Sequence, residues 1–166
     1  MTQSSQATRA QQTTSTATMQ MSPNGESRQS SGTSQGNVRF SYHEQDGRVL
    51  TVCRSLSGTS GQMRQVRVGW SCRNPVDQMS KQLARTIAVG RMNNPRSQVV
   101  LNLTENEQLS GMELEVLSLM ALRNRLNSRH VQKVLVEHLD TLMDQMMGSR
   151  VEVLNQILDR QNTDQG

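Results

Sequence analysis

The first 37 residues contain almost no side chains that could build a hydrophobic core. They are nearly all Gln, Ser, Thr, Gly and Ala, and their few apolar residues follow no helical or strand period. Because such a segment cannot bury enough apolar surface to offset the entropy lost on ordering, we expect residues 1–37 to form a disordered arm. The remaining part of this 166-residue chain is long enough for one modest hydrophobic core.

Charge divides the rest of the chain into two segments. Residues 38–103 carry ten Lys or Arg against three carboxylates, a net charge of +7, whereas residues 104–166 carry six against ten, a net charge of −4. We call the first segment the basic module and the second the acidic tail. Such a split favours either a polyanionic partner for the basic module or contact between the two segments, within one molecule or across a dimer.

Alternating apolar and polar residues in the basic module predict four strands, at residues 38–44, 48–56, 63–71 and 97–103. Between the third and fourth strands, residues 74–92 predict a helix with Asn74 as its N-cap. The buried stripe of this helix is predicted to be Val76, Met79, Leu83 and Ile87. We therefore predict an α+β fold, a β-β-β-α-β two-layer sandwich with the helix on the apolar side of the sheet.

The first hairpin is predicted to have a three-residue loop at 45–47, which pairs Tyr42 with Leu50. A two-residue loop would place Arg39 directly opposite Arg54 and separate the apolar residues of the two strands. In the predicted register the three aromatic residues of the chain lie on the buried face. The outward face then carries Arg39, His43, Cys53 and Arg67.

The acidic tail is predicted to be helical, with helices at residues 112–126, 129–147 and 151–160. Ser110 and Glu113 match a capping box before the first helix, and Gly148 is a predicted stop after the second. The second helix carries an apolar stripe of nearly heptad spacing. This stripe packs on the basic module as part of a helical hairpin or, alternatively, forms a homodimer through helices 111–147.

No catalytic, cofactor or metal motif stands out. His43 and Cys53 share a face in the predicted register, but nothing nearby orients them for nucleophilic catalysis. His130 and His138 are eight residues apart on one helix, too far to ligate the same ion. We therefore predict a protein that is not an enzyme, with no cofactor and no metal. The chain also has no apolar run of signal-peptide or membrane-spanning length, so we expect a cytoplasmic protein with no membrane partner.

Two stretches resemble known proteins. LSGMELEVLSLMA, residues 109–121, is similar to the opening of the LuxR-type helix-turn-helix domain, which implies DNA binding, although the segment that follows in that family is absent here. RVGWSCRNPVDQMSKQLARTIAVGR, residues 67–91, resembles small phage-encoded proteins of no assigned function. That resemblance implies a small phage or mobile-element protein acting in the host cytoplasm, and it carries no site residues.

Two functions fit these patterns. In the first, the protein is an accessory factor that binds nucleic acid or another polyanion through the basic module. Its predicted binding residues are Arg39, Arg48, Arg64, Arg67, Lys81 and Arg85. In the second, it is a structural or regulatory module, such as an inhibitor, an adaptor or a virion component, that oligomerises through its C-terminal helices and binds an acidic protein surface.

Overall fold

The computed structural model of the protein describes residues 37–59, 62–78 and 80–164. The predicted disordered arm lies outside these residues except for Asn37. The described elements are β1 (Arg39–Gln45), β2 (Arg48–Ser57), β3 (Arg64–Arg73), α1 (Lys81–Asn93), β4 (Val99–Leu103), α2 (Gly111–Arg125), α3 (Arg129–Asp144) and α4 (Gly148–Asp164). The predicted α+β class and the β-β-β-α-β order followed by helices are confirmed.

The four strands form one antiparallel sheet in the order β1-β2-β3-β4. Helix α1 packs on one face of this sheet, and helices α2 to α4 pack on the other. We call these the α1 face and the tail face. The α1 face carries Phe40, Tyr42, Thr51, Cys53, Gly69 and Ser71, and the tail face carries Leu50, Val52, Val66, Val68, Val99 and Leu101. The basic module is thus a two-layer sandwich, and the tail adds a third layer.

The predicted register of the first hairpin is wrong. The loop has two residues, Asp46 and Gly47, whose φ angles of 52° and 72° are typical of a type I′ turn. Tyr42 therefore pairs with Thr51, and Arg39 pairs with Arg54. Because side chains alternate along a strand, this difference of one residue moves every β1 side chain to the face opposite to the predicted one.

The predicted bounds and buried stripe of α1 are also wrong. The helix begins at Lys81, after Ser80, whose hydroxyl accepts a hydrogen bond of 3.1 Å from the amide of Leu83. Residues 74–77 form a turn, closed by the amide of Asp77 on the carbonyl of Asn74. The helix buries Ala84, Ala88 and Met92. Of the predicted stripe, Leu83 is 49% exposed and Val76 is 88% exposed, Ile87 is partly buried, and Met79 lies outside the described residues.

Helix α1 packs against the sheet through small side chains, because its backbone lies directly against β3. A Cβ atom added to Gly69 would lie 2.1 Å from the carbonyl oxygen of Ala88 and 2.7 Å from the Cβ of Met92. The hydroxyl of Ser71 donates a hydrogen bond of 2.8 Å to the carbonyl of Ala84. A leucine at this contact would force the two backbones apart. The α1 face therefore selects the alanine side of the helix, and α1 does not lie on the apolar side of the sheet.

The tail helices form close to the predicted positions. Ser110 and Glu113 make the predicted capping box at the start of α2, which is buried along residues 116–122. Gly148 begins α4 and is not the predicted stop. The apolar stripe of α3 packs against the sheet and α2 through four buried residues, Val131, Val134, Leu135 and Leu139. One hydrophobic core therefore joins the tail to the sheet.

The close contact at Gly69 gives a stability prediction. The variant Gly69→Ala should lower the free energy of unfolding by about 1–3 kcal/mol, because its methyl group overlaps the α1 backbone. Gly90→Ala, in the exposed part of the same helix with open space around it, should raise that free energy by about 0.5–1 kcal/mol. Urea unfolding of the two variants measures both effects, and a Gly69→Ala protein as stable as wild type contradicts the contact.

Candidate functional site

The two faces of the sheet divide the six cations predicted to bind a polyanion. Arg67, Lys81 and Arg85 lie on the α1 side, whereas Arg39, Arg48 and Arg64 have the orientation of the tail face. The expectation that Arg39 and Arg67 share a face is wrong, because the two-residue turn reverses every β1 side chain. Arg67 therefore lies on the same side of the sheet as Lys81.

Two of the three tail-face arginines contact the beginning of the acidic tail. Arg64 donates a hydrogen bond to the carbonyl of Glu107. The guanidinium group of Arg39 lies beside Gly111, the first residue of α2. These side chains therefore connect the module to the tail, and they do not extend the surface around Lys81.

Lys81 and Arg85 face the aromatic residues of β1. The ammonium of Lys81 lies 4.2 Å from the centre of the Tyr42 ring, and the guanidinium of Arg85 lies 5.1 Å from the centre of the Phe40 ring. Arg85 also donates a hydrogen bond to the Tyr42 hydroxyl. Both cations remain exposed, and positions four apart on a helix point the same way. Cation–π contacts thus hold a pair of positive charges at the surface with their directions fixed.

Two further arginines near α1 were not predicted as site residues. Arg91 belongs to α1, but its guanidinium stacks 4.0 Å from the centre of the ring of Trp70, a tail-face residue, and donates a hydrogen bond of 3.0 Å to the Trp70 carbonyl. Arg73 and Lys81 line a cavity of about 220 Å³ between the start of α1 and the sheet. The Nε of Arg73 is buried and has no hydrogen-bond partner among the described residues. Side chains alternate along a strand, so the pattern that places Arg67 on this face also places Arg73 there. Arg73 could therefore have been predicted as a site residue from the sequence.

The distribution of ion pairs separates the two sides of the molecule. Within the described part of the chain, the carboxylate-bonded cations are Arg54, Lys133, Arg150 and Arg160, together with His43 if protonated. Each of these pairs contains a residue of the acidic tail. The hydrogen bond from Arg150, for example, lowers the pKa of Glu113 to about 2. None of the described pairs contains a cation of the α1 side, and α1 itself has no acidic residue. Positive charge is therefore in excess on the α1 side, although Glu44 shares this face and Asp77 lies in the turn before α1.

The tail face contains a buried polar cluster around His43. Its Nε2 lies 3.1 Å from the Ser41 hydroxyl and 3.5 Å from a Glu115 oxygen, and its ring lies 4.9 Å from that of His138. Burial lowers the pKa of His43 to about 4, although Glu115 acts in the opposite direction. Because both short contacts use the same nitrogen, the cluster does not have the geometry of a serine–histidine–carboxylate relay. It connects β1 to α2 and α3.

Cys53 does not share a face with His43, contrary to the predicted register. It lies on the α1 face, where its thiol is 3.8 Å from the sulfur of Met92. Burial raises the pKa of this thiol to about 11. Cys53 is therefore a protonated core residue at neutral pH, and the thiol is not activated.

The described residues show neither a cluster of metal ligands nor a membrane-spanning helix. Among residues 37–59, 62–78 and 80–164, no three His, Cys, Asp or Glu side chains come together as metal ligands would. None of the described helices is long and apolar enough to cross a lipid bilayer. Comparisons with protein-family models, curated proteins and solved structures found no match. The similarities to LuxR-type domains and phage-encoded proteins stay predictions.

The buried His43 predicts a loss of stability in mild acid. An unfolded histidine takes up its proton near pH 6.5, whereas folded His43 does so only near pH 4. The unfolded state therefore binds more protons in this window, and the free energy of unfolding should fall as the pH drops from about 6.5 to about 4. The slope contributed by one proton is at most about 1.4 kcal/mol per pH unit.

Urea unfolding across this pH range measures the effect. His43→Gln should abolish this part of the slope, whatever its effect on absolute stability. His130→Gln is the matched control because His130 is exposed, and it should keep the wild-type slope. An unchanged slope in His43→Gln contradicts the assignment.

Proposed function

We propose that the protein is a small non-enzymatic accessory protein that binds nucleic acid or another polyanion through the α1 side of its basic module. The binding surface combines Lys81 and Arg85 on α1 with Arg67 and Arg73 on the same side of the sheet. It retains three of the residues predicted from sequence and adds one. The resemblance of residues 67–91 to phage-encoded proteins favours a phage or mobile-element origin.

The excess positive charge of the α1 side carries the proposal. Among the described residues, every cation that bonds to a carboxylate forms a pair that includes a residue of the acidic tail. The cations of the α1 side form no such pair. A cluster of unpaired cations raises the electrostatic potential of a surface and attracts anions over distances of about a Debye length. Three of the four cations are arginine, whose planar guanidinium group binds phosphate through two parallel hydrogen bonds.

The proposed binding mode is contact with phosphate groups. Lys81 and Arg85 cover the Tyr42 ring, and Arg91 covers the Trp70 ring. These rings are therefore occupied and offer no free platform on which bases could stack. Binding through phosphates predicts little sequence preference and a strong dependence on salt, because each contact releases condensed counterions.

A protein partner is the second candidate. Leu83 on α1 and Val76 in the turn before it are exposed apolar residues, so an acidic protein with an apolar patch would match this surface as well. The other expectation, a homodimer through helices 111–147, has less support, because the apolar stripe of α3 packs within its own chain.

Charge reversal tests the proposal. In the double variant Lys81→Glu and Arg85→Glu, affinity for a short DNA or RNA at low salt should fall by about tenfold or more. The slope of log affinity against log salt should also become shallower, by the amount expected for the loss of about two phosphate contacts. Both residues are exposed, and an acidic residue at position 81, in the first turn of the helix, is compatible with the helix dipole, so the variant should fold. Fluorescence anisotropy with labelled single-stranded and double-stranded oligonucleotides measures both quantities.

The matched control reverses the same number of charges on the other side of the molecule. Arg123→Glu and Arg125→Glu change two exposed cations at the end of α2, so non-specific attraction falls equally in both proteins. The proposal predicts that the control keeps most of the wild-type affinity. Equal losses in the two double variants, or no binding of wild type to nucleic acids or heparin at low salt, would overturn it.

A further inference from the structure

A second cavity lies on the opposite side of the sheet from the proposed polyanion surface. It has a volume of about 230 Å³ and opens where β1 and β2 meet the beginning of α2. Two arginines, Arg39 and Arg54, contribute to its wall, and Gly111 lies at its α2 end. Neither Arg54 nor Gly111 belongs to the polyanion surface, so this cavity needs its own explanation.

The two arginines are direct cross-strand neighbours. Arg39 pairs with Arg54 in the register of β1 and β2, so both side chains point to the tail face. Like charges directly opposite each other destabilise a sheet. One carboxylate, that of Glu115, lies 3.4 Å from Arg54, and no described ion pair contains Arg39. The pair therefore keeps an excess positive charge beside the cavity.

Arg54 is also incompletely bonded although it is buried. Its side chain is 10% exposed. The Nη2 atom donates to the carbonyl of Gly111 and to Glu115, at 3.3 and 3.4 Å. The Nη1 atom is buried and has no hydrogen-bond partner among the described residues. A buried cation with few hydrogen bonds is costly, and Arg54 adds its positive charge to the wall of the cavity.

The beginning of α2 adds a further donor. Gly111 is the first residue of this helix, and its amide is one of the four that a helix cannot satisfy within itself. The Nη1 atom of Arg39 lies 3.9 Å from the position that a Cβ on Gly111 would occupy. Arg39, Arg54 and Gly111 thus line the same cavity, where the excess positive charge would favour an anionic group.

Most of the remaining wall of the cavity is aliphatic. It includes four apolar side chains, Leu56, Val66, Leu109 and Leu114, together with the polar Asn37. The volume is below the roughly 300–1,000 Å³ of pockets for drug-sized ligands. These features favour a small ligand with one anionic end and one aliphatic end, and they do not favour a bare phosphate.

We propose that this cavity binds a carboxylate attached to a short branched aliphatic group, with Arg39 and Arg54 on the carboxylate and the leucine side chains around the hydrocarbon. Such a group occurs in small free acids and at the C-terminus of a peptide that ends in an aliphatic residue. The proposal is independent of polyanion binding, since it uses other residues on the opposite face of the sheet.

The test is an amide NMR titration of the full chain with defined probes. The probes are 4-methylpentanoate, N-acetyl-L-leucine, acetate, inorganic phosphate and the uncharged 4-methylpentanamide. We expect saturable shifts of the Gly111 and Met112 amides with the first two probes and much weaker binding of the other three. Tighter binding of 4-methylpentanoate identifies a free acid as the ligand type, and tighter binding of N-acetyl-L-leucine identifies a peptide C-terminus.

Variants of Arg39 test the role of the arginine pair, because this side chain is exposed and its replacement should not prevent folding. Arg39→Gln should weaken binding of the better probe by about tenfold or more, the usual effect of losing a charge-assisted hydrogen bond. Arg39→Lys keeps the positive charge but loses the paired donors of the guanidinium group, so it should have a smaller effect. Arg123→Gln, which removes an exposed cation at the end of α2 and lies outside both proposed sites, is the control and should bind as wild type does.

Three results would overturn the proposal. The first is the absence of a saturable shift at Gly111 with either aliphatic carboxylate. The second is equal affinity for 4-methylpentanamide, which would show that charge is not recognised. The third is equal affinity for inorganic phosphate, which would show that the aliphatic wall makes no contribution.

Discussion

The position of both candidate sites depends on the two-residue turn at Asp46 and Gly47. Their positive φ angles give the turn the twist that antiparallel strands require, and the turn sets the pairing of β1 with β2. Because side chains alternate between faces, this pairing directs Tyr42 towards α1 and Arg39 towards the tail. With a loop one residue longer, Tyr42 would leave Lys81, and Arg39 would no longer lie beside Arg54.

The sheet then separates two layers that are packed in different ways. Its tail face is covered with leucine and valine and buries three helices, whereas its α1 face carries small residues at the contact and lets one helix approach closely. Helix α1 is anchored through Ala84 and Ala88, so its remaining surface is free to carry cations. The tail acids bond to cations of their own layer and of the sheet, so they leave the α1 side unpaired.

Local signals in the sequence predicted the strands, their order and the capping box, because alternation and capping depend on neighbouring residues. The register could not be predicted from local signals, because it depends on contacts between residues far apart in the chain. The two-residue loop places Arg39 opposite Arg54, and this arrangement is stabilised by Glu115, which lies 61 residues after Arg54. The buried face of α1 was missed because apolar residues such as Leu83 normally mark it, whereas Gly69 leaves room only for alanine. The charges in the sequence predicted part of the candidate surface, and the other residues could be assigned only from the fold.

The most direct test of the account is a map of the surface that binds a polyanion. An amide NMR titration of the full chain with a short DNA duplex at low salt reports which residues are affected. The account predicts shifts concentrated in α1 and in the neighbouring part of β3, including Arg67, Arg73, Lys81 and Arg85, with α3 and α4 unchanged. Shifts concentrated in α3 and α4, or spread evenly over both sides of the sheet, would contradict it.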